Sequence, residues 1–222
     1  MALIQMRKDR EDLVSRLSDM GYIKTEIVKK AMIEVPREEF MTPETKSFAY
    51  LDRPIPLEDG QTISAPHMVA IICEKLGLER GMKVLEIGTG FGYNAAVVAE
   101  ILGPEGHVFT IERIENLKNI AEQNLERTGY SKNVTVILGD GTKGYKQESP
   151  YDRIYATASA PKVPEPLKEQ LKIGGRLMTP IGRDTSVQEL LCITRIGEKD
   201  YKTYNLGGVV FVPMIGEHGW PE

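Results

Sequence analysis

Three acids and a run of glycines could do chemistry together. Glu86-Ile87-Gly88-Thr89-Gly90-Phe91-Gly92 sets a GxGxG turn two residues behind a carboxylate. Glycine lets a backbone turn sharply and come close to a ligand, and a helix behind such a turn offers unpaired N–H groups. A dinucleotide fingerprint has the wider spacing GxGxxG, with a pyrophosphate on the helix N-terminus. Glu86 would oppose a pyrophosphate, but it suits a ligand with a cationic end, such as an amino-acid ammonium. Glu112 lies ~20 residues beyond the turn, where an acid grips a ribose diol through two charge-assisted hydrogen bonds. Asp140 suits an adenine amino group. Ribose, adenine, an ammonium and no phosphate together describe S-adenosylmethionine.

These residues need a frame that brings them to one place. Lys83 to Gly88, His107 to Glu112, Val134 to Leu138, Asp152 to Ala158 and Gly174 to Ile181 read as strands. Asn94 to Leu102, Asn116 to Arg127 and Pro164 to Leu171 read as helices between them. The alternation predicts an α/β fold, a doubly wound, mostly parallel sheet with helices on both faces. Each acid then stands at or near a strand end, where open α/β sheets bind their ligands. Val187 to Gly197 and Tyr201 to Ile215 have little between them, which predicts an antiparallel pair on the sheet edge.

The first 80 residues differ in character. Leu13, Val14, Leu17 and Met20 have helical spacing, and Ile27, Val28, Ala31, Met32 and Val35 form a second helix that Pro36 ends. Pro43 to Pro66 reads as a long, ordered, extended loop, and loops of that length are usually functional. Pro66 opens a helix that runs to about Leu76, with Ser64 near its cap. One domain, residues 1–222, is expected, divided into a helical and loop extension (1–80), a cofactor-binding core (81–182) and edge strands (183–222).

The 222 residues are 41% hydrophobic and 27% charged, with a net charge of −4. That balance predicts a folded, soluble chain and argues against a nucleic-acid partner, which calls for a basic face. No apolar run reaches the ~20 residues that span a bilayer. The charged first ten residues do not suggest a secretory signal. Cys73, Cys192, His67, His107 and His218 show no metal-ligand spacing, so no metal is expected. Two lone cysteines point to a reducing, cytoplasmic setting.

Larger motifs carry a resemblance. GQTISAPHMVA (Gly60 to Ala70), VLEIGTGFGY (Val84 to Tyr93), GDG (Gly139 to Gly141), PYDRIYATASAP (Pro150 to Pro161), LKIGGRLMTPIG (Leu171 to Gly182) and the terminal VVFVPMIGEHGW resemble the protein-L-isoaspartate O-methyltransferase family. The glycine turn is common to many methyltransferases, whereas TISAPH and FVPM are more specific. The resemblance implies methyl transfer from S-adenosylmethionine to the α-carboxylate of L-isoaspartyl residues in damaged proteins and peptides. The product nucleoside would be S-adenosylhomocysteine, and the ester would close to a succinimide. It implies an active-site loop at Thr62, Ile63 and Ser64, with Ser64 the catalytic hydroxyl and, with His67, on the substrate side. It places cofactor positions on Gly88, Gly90, Glu112, Asp140, Gly141 and Gln188, and with the residue reading the full expected cofactor set is Thr62, Ile63, Ser64, Glu86, Gly88, Thr89, Gly90, Gly92, Glu112, Arg113, Asp140, Gly141 and Gln188. A monomer is expected. Asn94 stands where many relatives carry glutamine, a departure expected to leave the reaction unaltered.

The residues leave some roles open. Ser64 suits both a helix cap and a catalytic hydroxyl. His67 reads more simply as a hydrogen bond at the helix start. Trp220 suits either packing against the domain or a substrate groove. Ala156 to Pro161 offers small residues where a base-directed methyltransferase carries an aromatic-proline motif, which leaves room for a peptide and nothing to stack a base. A nicotinamide-dependent oxidoreductase would call for the wider glycine spacing, and a non-catalytic cofactor binder would differ only in lacking turnover.

Overall fold

The computed structural model describes residues 2–182 and 187–221. Seven strands form the central sheet: β3 (Lys83–Ile87), β4 (His107–Glu112), β5 (Val134–Leu138), β6 (Tyr151–Ala156), β7 (Leu171–Ile181), β8 (Gln188–Arg195) and β9 (Tyr201–Val209). Their spatial order is β5-β4-β3-β6-β7-β8-β9. The first five pair in parallel, and β8 and β9 add antiparallel to the edge. The doubly wound reading holds. The order reverses between β3 and β6, so the crevice such sheets use for ligands opens at the carboxyl ends of those two strands.

Strand parity divides the core. Val84 and Tyr155 face one hydrophobic cluster, and Leu85, Ile87 and Ile154 face the other. Helix α4 (Tyr93–Leu102) is buried almost all round, as a helix covered on both sides must be. Its cover comes from the N-terminal extension. Helix α1 (Ala2–Asp19) packs on α2 (Glu26–Glu34), and α2 packs on α4. Helix α5 (Glu115–Thr128) buries Leu117, Ala121, Asn124 and Leu125.

Two regions differ from expectation. The Pro43–Pro66 stretch carries a 3-10 turn at Lys46–Phe48 and a two-residue hairpin, β1 (Ile55–Pro56) against β2 (Thr62–Ile63). An Asp-Gly turn closes it, with Asp59 at φ 52° and Gly60 at φ 69°, residues that enter the left-handed region readily. The helix expected over Pro164–Leu171 is the five-residue α6 (Glu165–Glu169), because Leu171 already pairs with Tyr151 as the start of β7. A register shift near Gly174-Gly175 absorbs the extra length.

Candidate active site

An open cavity lies at the reversal point. Four loops behind strand ends meet there: Gly88–Gly90 after β3, Arg113 after β4, Gly141 after β5, and Thr157–Ala158 after β6. Ile87, Ile111 and Glu112 are the strand-end residues in its wall. The opposite wall is the hairpin and the residues that continue it, Leu57 and Gln61 to Ser64, and Val212 to Ile215 form a third side.

The β3–α4 turn requires glycine for reasons of space. At Gly88 φ is 93°, and an added Cβ would stand 2.4 Å from the Thr157 hydroxyl oxygen. That hydroxyl donates to the Gly88 and Ile87 carbonyls at 2.8 and 3.1 Å, tying the β6 loop to the turn. At Gly141 an added Cβ would stand 2.4 Å from Ile87 Cγ2, so the backbone after β5 packs directly against the end of β3.

Glu112 is 6% exposed and lines the cavity. Its Oε2 accepts from the Gly90 N–H at 3.0 Å, and its Oε1 accepts from the Arg113 and Ile114 N–H groups at 2.9 and 3.1 Å. The acid fixes the glycine turn while keeping lone pairs for a ligand.

Four residues of the expected cofactor set lie outside the cavity wall. Glu86 is fully buried and absent from the cavity wall. Parity explains this, because Glu86 pairs with Thr110 on one side and Tyr155 on the other. The three side chains form a row under α4. Thr110 Oγ1 and the Tyr155 hydroxyl donate to Glu86 at 2.6 and 2.8 Å, and Thr110 meets the Thr89 hydroxyl at 2.6 Å. Burial pushes the Glu86 carboxyl up to about 8, which suits a neutral acid in the core and not a partner for an ammonium.

Asp140 lines a neighbouring depression with Arg113, Ile215 and Trp220. Its Oδ1 caps the turn at Thr142, accepting from that residue's N–H and hydroxyl at 2.9 and 2.6 Å, and Oδ2 accepts from the Glu217 N–H at 2.9 Å. Burial alone would raise this carboxyl, but these bonds hold it below its ordinary range. Gln188 is 1% exposed. Its amide both donates to and accepts from the Phe211 backbone, at 3.0 and 2.7 Å, so it braces the Val212–Ile215 wall from behind. Gly92 begins α4 at φ 93° and is outside the wall.

Thr62, Ile63, Ser64, Gly88, Thr89, Gly90, Glu112, Arg113 and Gly141 do converge on the cavity. Ser64 does not cap a helix. Helix α3 (Pro66–Leu76) has Ala65 as its N-cap residue, without a side-chain cap bond. Instead Asp52 Oδ1 accepts from the His67 N–H at 2.9 Å and stands 2.9 Å from His67 Nδ1. His67 is therefore tied to the loop before the hairpin and lies outside the cavity wall, as its structural reading proposed. Trp220 packs back on the domain, its Nε1–H donating to the Ser159 carbonyl at 3.0 Å. Cys73 and Cys192 are buried and unpaired.

Sequence reasoning assigned no site role to Leu57, Gln61, Phe91, Tyr93, Asn94 or Val212–Ile215, which all line the cavity. The motifs ran through Gln61, Phe91, Tyr93 and Val212–Ile215 without giving their side chains a role, Asn94 was noted only as a departure, and Leu57 carried no signal. Asn94 is 7% exposed, and its Oδ1 is buried with no hydrogen-bond donor among the described residues. The wall as a whole suits a nucleoside with an amino-acid tail. It has a glycine turn, apolar Ile87 and Ile111, a carboxylate at a strand end and an unspent amide.

Residues 7–219 match the model of the family described as protein-L-isoaspartate(D-aspartate) O-methyltransferase. A protein-L-isoaspartate O-methyltransferase of Methanothermobacter thermautotrophicus is 57% identical over 215 residues, 97% of this chain and 99% of the relative. One of Staphylothermus marinus is 51% identical, covering 98% and 99%. A solved protein-L-isoaspartate O-methyltransferase superposes with a TM-score of 0.85 at 35% identity, covering 95% of this chain and 67% of that one. A Plasmodium falciparum protein, described as a proposed enzyme of this type in complex with S-adenosyl-L-homocysteine, gives 0.83 at 27% identity, covering 93% and 98%.

Proposed function

The chain belongs to the protein-L-isoaspartate(D-aspartate) O-methyltransferase family, and from that premise we propose how its own residues carry the reaction. The enzyme transfers a methyl group from S-adenosylmethionine to the α-carboxylate of L-isoaspartyl residues, a repair step that leads to a succinimide. The observation that carries our reading is the pairing of walls. The glycine turn and Glu112 face an uncharged edge, Thr62 to Ser64, across one cavity.

When bound, S-adenosylmethionine supplies an electrophilic methyl group on a sulfonium. Glu112 holds the ribose diol, Gly88 to Gly90 and Gly141 let the backbone lie close to the nucleoside, and Ile87 and Ile111 give apolar contact. Ser64 holds the attacking carboxylate oxygen by donating its hydroxyl. A carboxylate with a pKa of ~4 is already ionised at neutral pH, so no residue is needed as a base. A lysine at Ser64 would draw charge from the nucleophile, whereas a hydroxyl orients it and leaves the charge in place. Such orientation can be worth ~7–11 kcal/mol. Methyl transfer cancels the carboxylate and sulfonium charges, so a wall poor in water and free of competing ions favours it.

Substrate enters as a peptide beside the small side chains of Thr157 and Ala158. We read the enzyme as a single-domain cytoplasmic monomer that engages neither nucleic acid nor membrane. Supporting this are the net charge of −4 and two buried, unpaired cysteines.

The test offers paired peptides, one with isoaspartate and one with aspartate, and methyl-labelled S-adenosylmethionine. We expect label on the isoaspartyl peptide alone. Label on both, or on neither, overturns the reading.

A further inference from the structure

The buried Oδ1 of Asn94 has no hydrogen-bond partner among the described residues. A buried polar group left unpaired costs about 1–3 kcal/mol, and native chains pair nearly all of theirs. The other polar side chains at the back of the cavity are engaged. Thr157 donates to two carbonyls, Thr89 is bound to Thr110, and Glu112 accepts three backbone N–H groups. Glu86, the acid that the sequence offers for an ammonium, lies behind the turn.

Resting on the cofactor reading above, we propose that Asn94 holds the amino-acid end of S-adenosylmethionine, its amide oxygen accepting from the ammonium. An amide fits this group better than an acid would. The ligand's tail is a zwitterion, and one amide offers an acceptor to the ammonium and a donor to the carboxylate. Hydrogen bonds to charged groups are also the stronger kind. Asn94 stands in the first turn of α4, directly after the glycine turn, and lines the same cavity as Glu112. Asn94 is thus a specificity residue for the tail, and its identity matters to the reaction.

Two nucleosides separate the possibilities. S-adenosylhomocysteine has the amino-acid tail, and 5′-methylthioadenosine lacks it. By calorimetry, Asn94→Ala should bind S-adenosylhomocysteine about tenfold more weakly and 5′-methylthioadenosine within about twofold of the parent. Asn94→Gln, which keeps the amide, should recover part of the loss. The unliganded melting temperature should not fall, because the substitution removes no hydrogen bond. Equal loss for both nucleosides, loss for neither, or a lower unliganded melting temperature overturns the proposal. A parent protein that binds neither nucleoside overturns the cofactor reading itself.

Discussion

The glycine turn hangs between a buried strand and a helix covered on both sides, whereas the facing edge, Leu57 to Ser64, rests on a ladder two residues long. The first wall is held by bonds that cross the sheet: Glu112 to Gly90, Thr157 to Gly88, and the row Thr110–Glu86–Tyr155 beneath. The second is held by the Asp-Gly turn, by Leu57 reaching toward Gly90, and by Asp52 on the start of α3. Ile55 and Ile63 tie this edge to the hydrophobic core, but Glu58 to Gly60 and Thr62 are exposed and the ladder behind them is short, which lowers local stability. The contrast assigns a preorganised wall to the small cofactor and a yielding wall to a protein substrate, which must bring a backbone segment into the cleft. Substitutions in the two walls should therefore separate cofactor affinity from turnover.

The largest effect belongs to the rigid wall. Glu112→Ala removes the proposed ribose partner and also the acceptor that fixes Gly90. S-adenosylmethionine should bind about 100-fold more weakly, the sum of two charge-assisted hydrogen bonds. An unchanged dissociation constant by calorimetry would remove Glu112 from the ribose site and make the two walls equivalent. Next comes the yielding wall. Ser64→Ala should lower kcat about 10- to 100-fold with cofactor affinity within about twofold. Because Ser64 makes no cap bond, the melting temperature should hold. Equal losses in turnover and cofactor affinity would mean that the edge serves the nucleoside instead.

The rigid wall was the more legible of the two. Alternating strands and helices place Gly88, Glu112 and Gly141 at strand ends without any knowledge of tertiary contacts. Glu86 misled because its place beside the glycines was read by proximity. Parity read from Val84, Leu85 and Ile87 would have put it under α4, on the face opposite Ile87. Asp140 and Gln188 are bound by partners at Glu217 and Phe211, separations that no local pattern reports. In the yielding wall, Asp59-Gly60 was a readable turn signal inside a stretch taken as extended. Asp52 gave no signal at all, since its partner His67 lies in a helix that Ser64 was placed to cap.

Asp52 supplies a smaller effect that sharpens the contrast. Asp52→Ala leaves the start of α3 without its only side-chain acceptor among the described residues, and a lost cap costs about 0.5–2 kcal/mol. KM for an isoaspartyl peptide should rise about threefold, while S-adenosylhomocysteine affinity stays. Asp52→Asn keeps an acceptor and should restore most of the KM. If the cofactor affinity falls in step with KM, the anchoring of the second wall reaches the first, and the separation fails.

The smallest effect on nucleoside binding lies beneath the rigid wall, where the change shows itself through titration. Burial holds Glu86 neutral in the fold up to about pH 8, against 4.5 for an ordinary glutamate. Between those values the unfolded chain has lost this proton and the folded chain keeps it. The stabilisation is therefore complete below about 4.5, shrinks as pH rises, and is gone once pH passes through about 8. Glu86→Gln is always neutral, and its amide can donate to Thr110 Oγ1, which can pass its own proton to Thr89. Its melting temperature relative to the parent should climb from about pH 5 to about pH 8 and level off above. Nucleoside affinity should differ little, because the side chain does not line the cavity. A difference in melting temperature that ignores pH would mean that Glu86 is ionised in the fold. The row under α4 would then be a charge network open to the ligand, and the rigid wall would owe its form to the cofactor.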